Sequence, residues 1–377
     1  MSRILFVANA TLGHIARLLT VASELEKTGA DQITFALPEL SQYADLIRTA
    51  GYELRTLPVR TVPVRTAKGN KLHLDLDTFS TALEELIHEI NPAAIVLDFN
   101  QLILCAAMRW PKVPRILITN VFLTGLSTHT TVQGHMFPDL AGTINANRAA
   151  KGLPALESVT GLYEADLVCL ADPDILVEQF APLREYHRAC GACYWESNAP
   201  LPAPLPEFDS AVLFSMGSTG ETPIGADLVD AMKELSGADF AIYAGAGADA
   251  LSSAGIVDYA APMLPLQKIF PKVKLAVTQG GAGSTYQALS HGVPVIALPT
   301  HTNHEILGQA LAQKGLVYCL PKSGVIPTDR PVNYAALAAR ARHFAANPKR
   351  KIGPAEIARH IKDYLRLPGS NTALRHP

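Results

Sequence analysis

The sequence predicts an α/β protein made of two doubly wound domains, in each of which helices cover both faces of a parallel sheet. Near its start, two short apolar runs, Ile4–Ala8 and Ile33–Leu37, flank a segment with helical spacing of apolar residues, Ile15–Thr28. The same strand–helix–strand order returns within Lys274–Glu305. Strands that alternate with helices form parallel sheets with covered faces. A chain of 377 residues also exceeds the roughly 250–300 residues at which a single core stops growing.

The composition is that of a globular protein, because 48% of the residues are hydrophobic and the net charge is only −2. This balance favours neither a disordered chain nor a nucleic-acid partner. The apolar run Ile4–Val7 is too short for a secretory signal, and no run approaches the roughly 18 apolar residues of a membrane helix. Five cysteines, an odd number without an export signal, favour reduced thiols. We therefore expect a cytoplasmic protein without an integral membrane segment.

A proline-rich break divides the chain. The segment Trp195–Phe208 holds four prolines and no periodicity, which is typical of a linker. We therefore expect an N-terminal domain over residues 1–195, a linker over 196–210 and a C-terminal domain over 211–377. After the break, further strands and helices are predicted at Ala211–Phe214, Phe240–Ala244, Gly255–Ala260, Glu305–Lys314, Asn333–Ala346 and Pro354–Leu365.

Polar residues follow the predicted strands of the first domain. His14 comes after the first strand, and Asp98 ends a strand that begins at Ala94. Another strand is predicted at Arg115–Thr119. Open α/β sheets bind ligands at the carboxyl ends of their strands, so both side chains are candidates for a site. From its position alone, His14 is better explained as a helix cap or a passive wall of a cleft than as a catalytic residue.

Two patterns that could suggest metal sites have simpler explanations. His187, Cys190 and Cys193 have the spacing of a metal-binding array, but the sequence offers neither a fourth ligand nor a second paired motif. Asp75 and Asp77 form a D-x-D doublet directly before a predicted helix, where Asp77 is expected to be the N-cap. We therefore expect no metal site.

The most informative stretch is Lys274–Glu305. A short apolar strand is followed by three glycines, then by a helix that Ser284–Thr285 are expected to cap and that reaches about Ser290, and then by a second strand, Pro294–Leu298. Glycines leave backbone N–H groups unshielded, and a helix N-terminus favours an anion such as a diphosphate. The turn lacks both the G-x-x-x-x-G-K-S/T loop and the G-x-G-x-x-G fingerprint, so it fits neither a nucleoside triphosphatase nor a nicotinamide-dependent oxidoreductase.

This stretch resembles the nucleotide-sugar signature of the family 1, UDP-glycosyltransferase-like glycosyltransferases, H-G-G-x-G/N-S/T-T-x-x-A-L-x-x-G-V-P. The N-terminal G-H-I-x-x-x-L resembles the same family's first motif, and residues 144–156, INANRAAKGLPAL, resemble a helix of bacterial aglycone and macrolide glycosyltransferases. The resemblance implies the GT-B fold, in which two Rossmann-like domains face one another across a cleft. Such proteins often return their last helix to the N-terminal domain.

The resemblance also implies roles for individual residues. His14 would be the general base, and Asp98 would orient it. The C-terminal domain would bind the sugar nucleotide through two phosphate-facing loops, a base-facing strand and a sugar-reading pair. The implied donor-binding residues are Gly217, Ser218, Tyr259, Gln279, Gly280, Gly281, Gly283, Ser284, Thr285, Gln287, Asn303 and His304.

Three positions depart from the family pattern. Gln279 replaces the usual histidine, Gln287 falls where many relatives have a ribose-binding glutamate, and Asn303–His304 stand where relatives have Asp–Gln. A glutamine can still donate a hydrogen bond to phosphate, but it cannot be cationic. These departures leave the phosphate role intact and the identity of the sugar open.

The resemblance implies an inverting hexosyltransferase that uses a UDP- or dTDP-sugar and the hydroxyl of a small-molecule acceptor, with no cofactor beyond that donor substrate. A lipid-linked acceptor and a nucleotide-sugar epimerase reaction of the same fold stay open, as does a noncatalytic sugar-nucleotide-binding protein. The acceptor, the base, the sugar and the presence of a homodimer are left undetermined by the sequence.

Overall fold

The computed structural model divides the chain into two compact units. The first comprises Met1–Ala192 with Lys351–Pro377, and the second comprises Cys193–Arg350. The structure describes residues 3–29, 32–39, 41–66, 69–98, 105–124, 126, 144–157, 159–202, 205–217, 224–321, 324–327, 330–347 and 352–366.

The described elements of the first unit alternate between strands and helices up to the third strand, and two more strands follow it before the next helix. They are β1 (Arg3–Val7), α1 (Leu12–Lys27), β2 (Gln32–Pro38), α2 (Ala44–Thr49), β3 (Glu53–Leu57), β4 (Thr61–Thr66), β5 (Gly69–Leu74), α3 (Leu76–Ile90), β6 (Ala94–Asp98), β7 (Arg115–Thr119), α4 (Asn145–Ala150), β8 (Leu167–Leu170), α5 (Asp174–Val177) and β9 (His187–Ala189).

The second unit continues the same alternation, and one more helix follows it. The elements are β10 (Ala211–Gly217), α6 (Ala226–Ser236), β11 (Phe240–Gly245), α7 (Ala248–Ser253), β12 (Tyr259–Ala261), α8 (Leu266–Ile269), β13 (Val273–Thr278), α9 (Ala282–Ser290), β14 (Val295–Ala297), α10 (Thr302–Gln313), β15 (Val317–Cys319), α11 (Tyr334–Ala346) and α12 (Gly353–Arg366).

The sheet of the first unit has the strand order β3-β2-β1-β6-β7-β8-β9 among the described residues, and its pairs are parallel. β4 and β5 form a separate antiparallel pair. The chain runs outward from β1 to β3 and then returns to the other side of β1 as β6. The strand order therefore reverses between β1 and β6, which is where such sheets bind ligands, outside the carboxyl ends of the strands.

The sheet of the second unit repeats this arrangement. Its described strands follow the order β12-β11-β10-β13-β14-β15, and all of their pairs are parallel. The order reverses between β10 and β13. These two strands end at Gly217 and Thr278, so the glycine bend predicted from the sequence begins at the second reversal point.

The strands are apolar because helices cover the sheets. All five residues of β6 are buried, and so are four of the five residues of β1. Phe6 stacks on Phe35 of the neighbouring strand with 5.2 Å between the ring centroids. Continuous apolar strands are expected when a parallel sheet is buried on both faces.

Two predicted helix starts are wrong. Helix α9 begins at Ala282, and its N-cap is Gly281, three residues before Ser284, the first of the two predicted capping residues. The hydroxyl of Thr285 faces inward instead and lies within hydrogen-bond distance of Thr278. Helix α3 begins at Leu76, and its N-cap is Asp75 rather than Asp77. Asp75 accepts a hydrogen bond from the backbone N of Asp77 at 3.0 Å. In both cases the local sequence offers more than one residue of a type that can cap a helix, so it does not by itself select the one at which the helix begins.

Helix α12 belongs to the first unit. It packs against α1 and β8, and Nζ of Lys362 donates to the backbone O of Gly29 at 3.2 Å. At its first residue, a Cβ on Gly353 would lie 2.3 Å from the backbone O of Ala192, so only glycine fits there. Within the described parts of the chain, no helix combines the length and apolar character needed to cross a membrane.

The proline-rich segment is tied to the second unit. Nζ of Lys268 donates to the backbone O of Ala199, and Nζ of Lys272 donates to the backbone O of Phe208, each at 2.7 Å. Nε2 of His291 lies 2.8 Å from Oε1 of Glu196. The described part of this segment is therefore anchored along its length by side chains that follow β12.

Candidate functional site

His14 and Asp98 lie at the carboxyl ends of two neighbouring strands of the first unit. The register pairs Val7 of β1 with Leu97 of β6, which brings the residues after both strands to the same edge. Nδ1 of His14 contacts Oδ1 of Asp98. The Asp98 side chain is fully buried, whereas that of His14 is 19% exposed. The buried carboxylate therefore orients the histidine through Nδ1, while part of the ring stays exposed to solvent.

Arg17 joins this pair, and sequence reasoning missed it. Its Nε donates to Oδ2 of Asp98 at 3.0 Å, and its Nη2 donates to Oδ1 at 3.4 Å. Burial alone raises the pKa of Asp98, but the charges of Arg17 and His14 outweigh it and hold that pKa below its usual range. The only signal for Arg17 in the sequence was that it lies three residues after His14, near the start of a predicted helix, because residues three apart share one face of a helix.

The glycine bend of the second unit is held by its neighbours. Oγ1 of Thr278 accepts from the backbone N of Gly280 at 3.1 Å and lies 2.9 Å from Oγ1 of Thr285. Gly280 has a φ of +79°, and a Cβ there would lie 2.9 Å from the backbone O of His304. Glycine is therefore required at position 280 by both its conformation and its contact with α10.

The N-terminus of α9 opens from this bend. The first intrahelical hydrogen bond runs from the backbone N of Thr285 to the backbone O of Gly281 at 3.2 Å. The N–H groups of residues 282–284 precede it and point out of the helix end. Gly281 provides no side chain as a cap, so this end offers N–H donors and the positive end of the helix dipole to an anion.

Gln279 lies directly beside these donors and is 5% exposed. Its Nε2 has no hydrogen-bond partner among the described residues. A buried amide donor without a partner costs about 1–3 kcal/mol. Its Oε1 approaches Gly217 at the end of β10, where an added Cβ would lie only 2.7 Å away. The amide of Gln279 therefore lies between the ends of β10 and β13, and its Nε2 has no hydrogen-bond partner in the described structure.

His304 closes another side of the bend from the first turn of α10. Its Nδ1 lies 3.2 Å from Oγ1 of Thr300, and its Nε2 would be 3.5 Å from a Cβ on Gly281. Burial, together with a smaller effect of the nearby His301, lowers the pKa of His304 to about 4. His304 is therefore neutral at pH 7. Asn303 is exposed on the same turn.

The remaining predicted donor residues are placed differently. Thr285 is fully buried against Thr278, so its hydroxyl supports the bend from inside. Gln287 is 5% exposed, and its Nε2 has no partner among the described residues. Ser284 is half-buried and Gly283 is exposed in the first turn of α9, and Tyr259 is half-buried on the edge strand β12. Ser218 lies outside the described residues.

The array considered for a metal lies in a buried part of the protein. Cys190 and Cys193 are both buried. Burial lowers the pKa of His187 to about 4, with a further contribution from Arg184 and Arg188. In the described part of the chain, no three or more His, Cys, Asp or Glu side chains are grouped so as to hold a metal ion.

Comparison with known sequences identifies relatives along the whole chain. Residues 244–363 match the family described as the erythromycin biosynthesis protein CIII-like, C-terminal domain. The chain is 24% identical over 410 aligned residues to a PGL/p-HBAD biosynthesis glycosyltransferase of Mycobacterium tuberculosis, with 97% of this chain and 92% of that protein covered. It is 30% identical to glycosyltransferase GtfC of Amycolatopsis orientalis over 243 residues, which cover 59% of this chain and 56% of that protein.

Comparison with solved structures finds the same architecture. The calicheamicin glycosyltransferase CalG4 matches with a TM-score of 0.70 at 19% identity, with 97% of this chain and 98% of that chain covered. SsfS6 of a Streptomyces species, solved with thymidine diphosphate, matches with a TM-score of 0.63 at 17% identity over 96% of this chain and 100% of its own. The spinosyn rhamnosyltransferase SpnG, solved with spinosyn aglycone, matches with a TM-score of 0.62 at 17% identity over 96% and 100%.

Proposed function

We propose that this chain, which is a glycosyltransferase of the GT-B fold, moves a hexose from a UDP- or dTDP-sugar to a hydroxyl of a small-molecule natural product, with inversion at the anomeric carbon. The observation that carries the proposal is the contact between Nδ1 of His14 and the buried Asp98 at the carboxyl ends of β1 and β6. Relatives of this chain are glycosyltransferases, and one structural neighbour was solved with a sugar-free acceptor, the spinosyn aglycone.

The histidine is suited to be the base. A carboxylate on Nδ1 favours the tautomer with the proton on that nitrogen, which leaves Nε2 able to accept one. Nε2 of His14 takes the proton of the acceptor hydroxyl while the hydroxyl oxygen forms a bond to the anomeric carbon. The bond from that carbon to the diphosphate oxygen breaks, and the nucleoside diphosphate leaves with the electron pair. A single displacement of this kind inverts the configuration.

The donor half of the reaction is assigned to the second unit. The N-terminus of α9 provides backbone donors, and Nε2 of Gln279 is a buried donor without a described partner beside it. Diphosphate oxygens would satisfy both, and they gain negative charge as the sugar leaves. One structural neighbour was solved with thymidine diphosphate. Gln287 and the Asn303–His304 pair are the proposed contacts to ribose and sugar.

The proposal is tested by binding and product formation measured separately. Calorimetric titration of the whole chain with UDP and dTDP should give micromolar affinity for at least one of them, and Gln279→Ala should weaken it. Incubation with UDP-glucose or dTDP-glucose and a panel of phenols and macrolide aglycones should give a glycosylated product by mass spectrometry. His14→Ala should retain nucleotide binding and lose transfer by about 100-fold or more.

Each alternative predicts a different result. Free nucleoside diphosphate without a glycosylated product would indicate an epimerase-type reaction, and binding without turnover would indicate a noncatalytic protein. Near-normal transfer by His14→Ala would show that the base is another residue. If neither nucleotide binds, the assignment of the glycine bend to the donor is wrong.

A further inference from the structure

Arg17 is held from two sides. On one side its guanidinium donates to both oxygens of Asp98. On the other side its Nη1 donates to Oδ1 of Asn120 at 3.2 Å, just after β7. Arg17 is only 9% exposed, and arginine is rarely buried unless it is paired. The fork geometry of a guanidinium lets it bind a carboxylate through two nitrogens and a third group at the same time.

Asn120 is itself fixed by a second buried carboxylate. Its Nδ2 donates to Oδ1 of Asp172 at 2.7 Å, and the backbone N of Val121 donates to Oδ2 of Asp172 at 2.5 Å. Because Nδ2 is committed to a carboxylate, the amide oxygen of Asn120 must face Arg17. Two residues of α1, the last residue of β6 and residues just after β7 and β8 thus form one hydrogen-bonded chain that begins at His14 and ends at Asp172.

We propose that Arg17 is a positioning residue for the transfer reaction. It holds the carboxylate of Asp98 against Nδ1 of His14 and offsets the negative charge of that carboxylate, so that the proton stays on Nδ1 and Nε2 stays able to accept the proton of the acceptor hydroxyl. The inference rests on the role proposed above for His14 as the base. It goes further because it assigns control of that base to Arg17, which is only 9% exposed and acts through the carboxylate of Asp98.

The physical reason is a balance of charges. A buried carboxylate without a cation beside it strongly favours the protonated form of a neighbouring histidine, since the opposite charges attract with little screening by solvent. A protonated histidine cannot be a base. Arg17 supplies a permanent positive charge to the same carboxylate, because a guanidinium is not deprotonated in proteins. The imidazolium form of His14 therefore gains less from Asp98, while the neutral ring keeps its hydrogen bond.

Other charged groups around α1 are directed elsewhere in the described structure. Helix α12 packs against α1, and its Lys362 donates to the backbone of Gly29 beyond the far end of α1. Arg359 of α12 pairs with Glu356 and Asp363 of the same helix. Asp98 and Arg17 contact the His14 ring, and Asp172 is joined to this cluster through Asn120.

The test is a direct measurement of His14 protonation in the whole chain. Histidine ring carbons are labelled with ¹³C, the His14 signal is identified by its loss in His14→Gln, and its chemical shift is followed from pH 5 to pH 9. In Arg17→Gln the midpoint should move to higher pH by about one unit, a tenfold change in proton affinity. Arg17→Lys keeps the positive charge but lacks the forked donors of the guanidinium, so its His14 midpoint should lie between those of the wild type and Arg17→Gln.

Two further variants make the result decisive. Arg48→Gln removes an exposed arginine of α2 that pairs with Asp45, and it should leave the midpoint unchanged. Asn120→Ala replaces Arg17→Gln if the latter does not fold. It keeps Arg17 but removes the hydrogen bond from Arg17 to the amide oxygen of Asn120. The midpoint of the His14 signal should again move to higher pH, but by less. An unchanged midpoint in Arg17→Gln, or in Asn120→Ala where that variant replaces it, overturns the inference.

The outcome is separable from that of the proposed function. If the His14 midpoint is unchanged in Arg17→Gln while His14→Ala abolishes transfer, only the role of Arg17 is rejected. Transfer that persists in His14→Ala would reject the base assignment even if the NMR midpoint responds to Arg17.

Discussion

Gly217 and Gln279 approach so closely that a Cβ on residue 217 would lie 2.7 Å from Oε1 of Gln279. Gly217 is the last residue of β10, and Gln279 follows β13, the strand beside it in the sheet. Gly217 also has a φ of +70°, which disfavours any residue with a side chain. The absence of a side chain at position 217 therefore allows the Gln279 amide to lie beside the N-terminus of α9.

Replacing Gly217 with alanine is expected to displace the Gln279 side chain and weaken the binding of UDP or dTDP by about tenfold, the equivalent of one good hydrogen bond. Calorimetry measures the dissociation constant. Gly237→Ala is the matched control, because Gly237 has a similar φ of +63° but no atom within 4 Å of its added Cβ. Equal losses of affinity in both variants would mean that backbone strain, and not the contact with Gln279, is responsible.

Replacing Gln279 with glutamate keeps its size but puts a negative charge in place of a donor. Diphosphate affinity should fall by tenfold or more, because the carboxylate repels the anion and cannot donate to it. The loss should diminish as the pH is lowered below 5, where the carboxyl becomes neutral. Gln313→Glu, at an exposed position at the end of α10, should bind as the wild type does. Undiminished affinity in Gln279→Glu would place the phosphates elsewhere.

Asp98→Asn should reduce both activity and stability. The asparagine can present an N–H₂ group to Nδ1 of His14 and so favour the wrong tautomer, which should lower kcat by about 100-fold or more. It also leaves the buried Arg17 without its counter-charge, and breaking a buried pair in this way costs roughly 3–5 kcal/mol. Initial rates and urea unfolding measure the two effects. A variant that unfolds as the wild type does would show that Arg17 draws little stability from this carboxylate.

Stability should fall as the pH drops from 6.5 toward 4. Burial lowers the pKa of His187 in the first unit and of His304 in the second unit to about 4. Below pH 6.5 the unfolded chain takes up protons at these residues and the folded chain does not. Protonation therefore favours unfolding, with a slope that approaches about 1.4 kcal/mol per pH unit for each histidine.

The contribution of His187 is checked by the urea midpoint at pH 7 and pH 5 in the wild type and in His187→Gln. The variant lacks the titrating ring and should lose less stability over this range. His343→Gln serves as a control, because this histidine lies at an exposed position of α11. If the wild type and His187→Gln lose the same stability, the ring of His187 is protonated in the folded protein as readily as in the unfolded one.

Much of the fold could be predicted because its signals are local. The apolar run of β7 has the bounds predicted for it, Arg115–Thr119, and the strand–bend–helix–strand order of the glycine stretch is present as β13, α9 and β14. The predicted GT-B fold and glycosyltransferase activity agree with the relatives and solved structures. Helix starts were less predictable, since Asp75 and Asp77 are both good caps and only the final geometry selects one.

The candidate site was only partly accessible to the sequence. His14 could be proposed because it follows a predicted strand and lies within a motif that resembles the family's first one. Asp98 could be proposed because it ends a predicted strand and the resemblance implies an aspartate that orients the histidine. Arg17 could not, because an arginine on an amphipathic helix is usually solvated and nothing local marks it as buried. The contact between Gly217 and Gln279 was equally hidden, since it depends on which strand lies beside β10.

The amino-acid sequence by itself determined the alternation of strands and helices, the glycine bend at the start of α9 and the chemical types available at each strand end. These properties depend on the spacing of apolar residues and on backbone freedom within a few positions. Only the tertiary structure decided that β1 lies beside β6 and β10 beside β13, and that α12 rejoins the first unit. The pairing of His14, Arg17 and Asp98 follows from that strand order, because residues more than 80 positions apart meet only when packing of the whole sheet makes their strands neighbours.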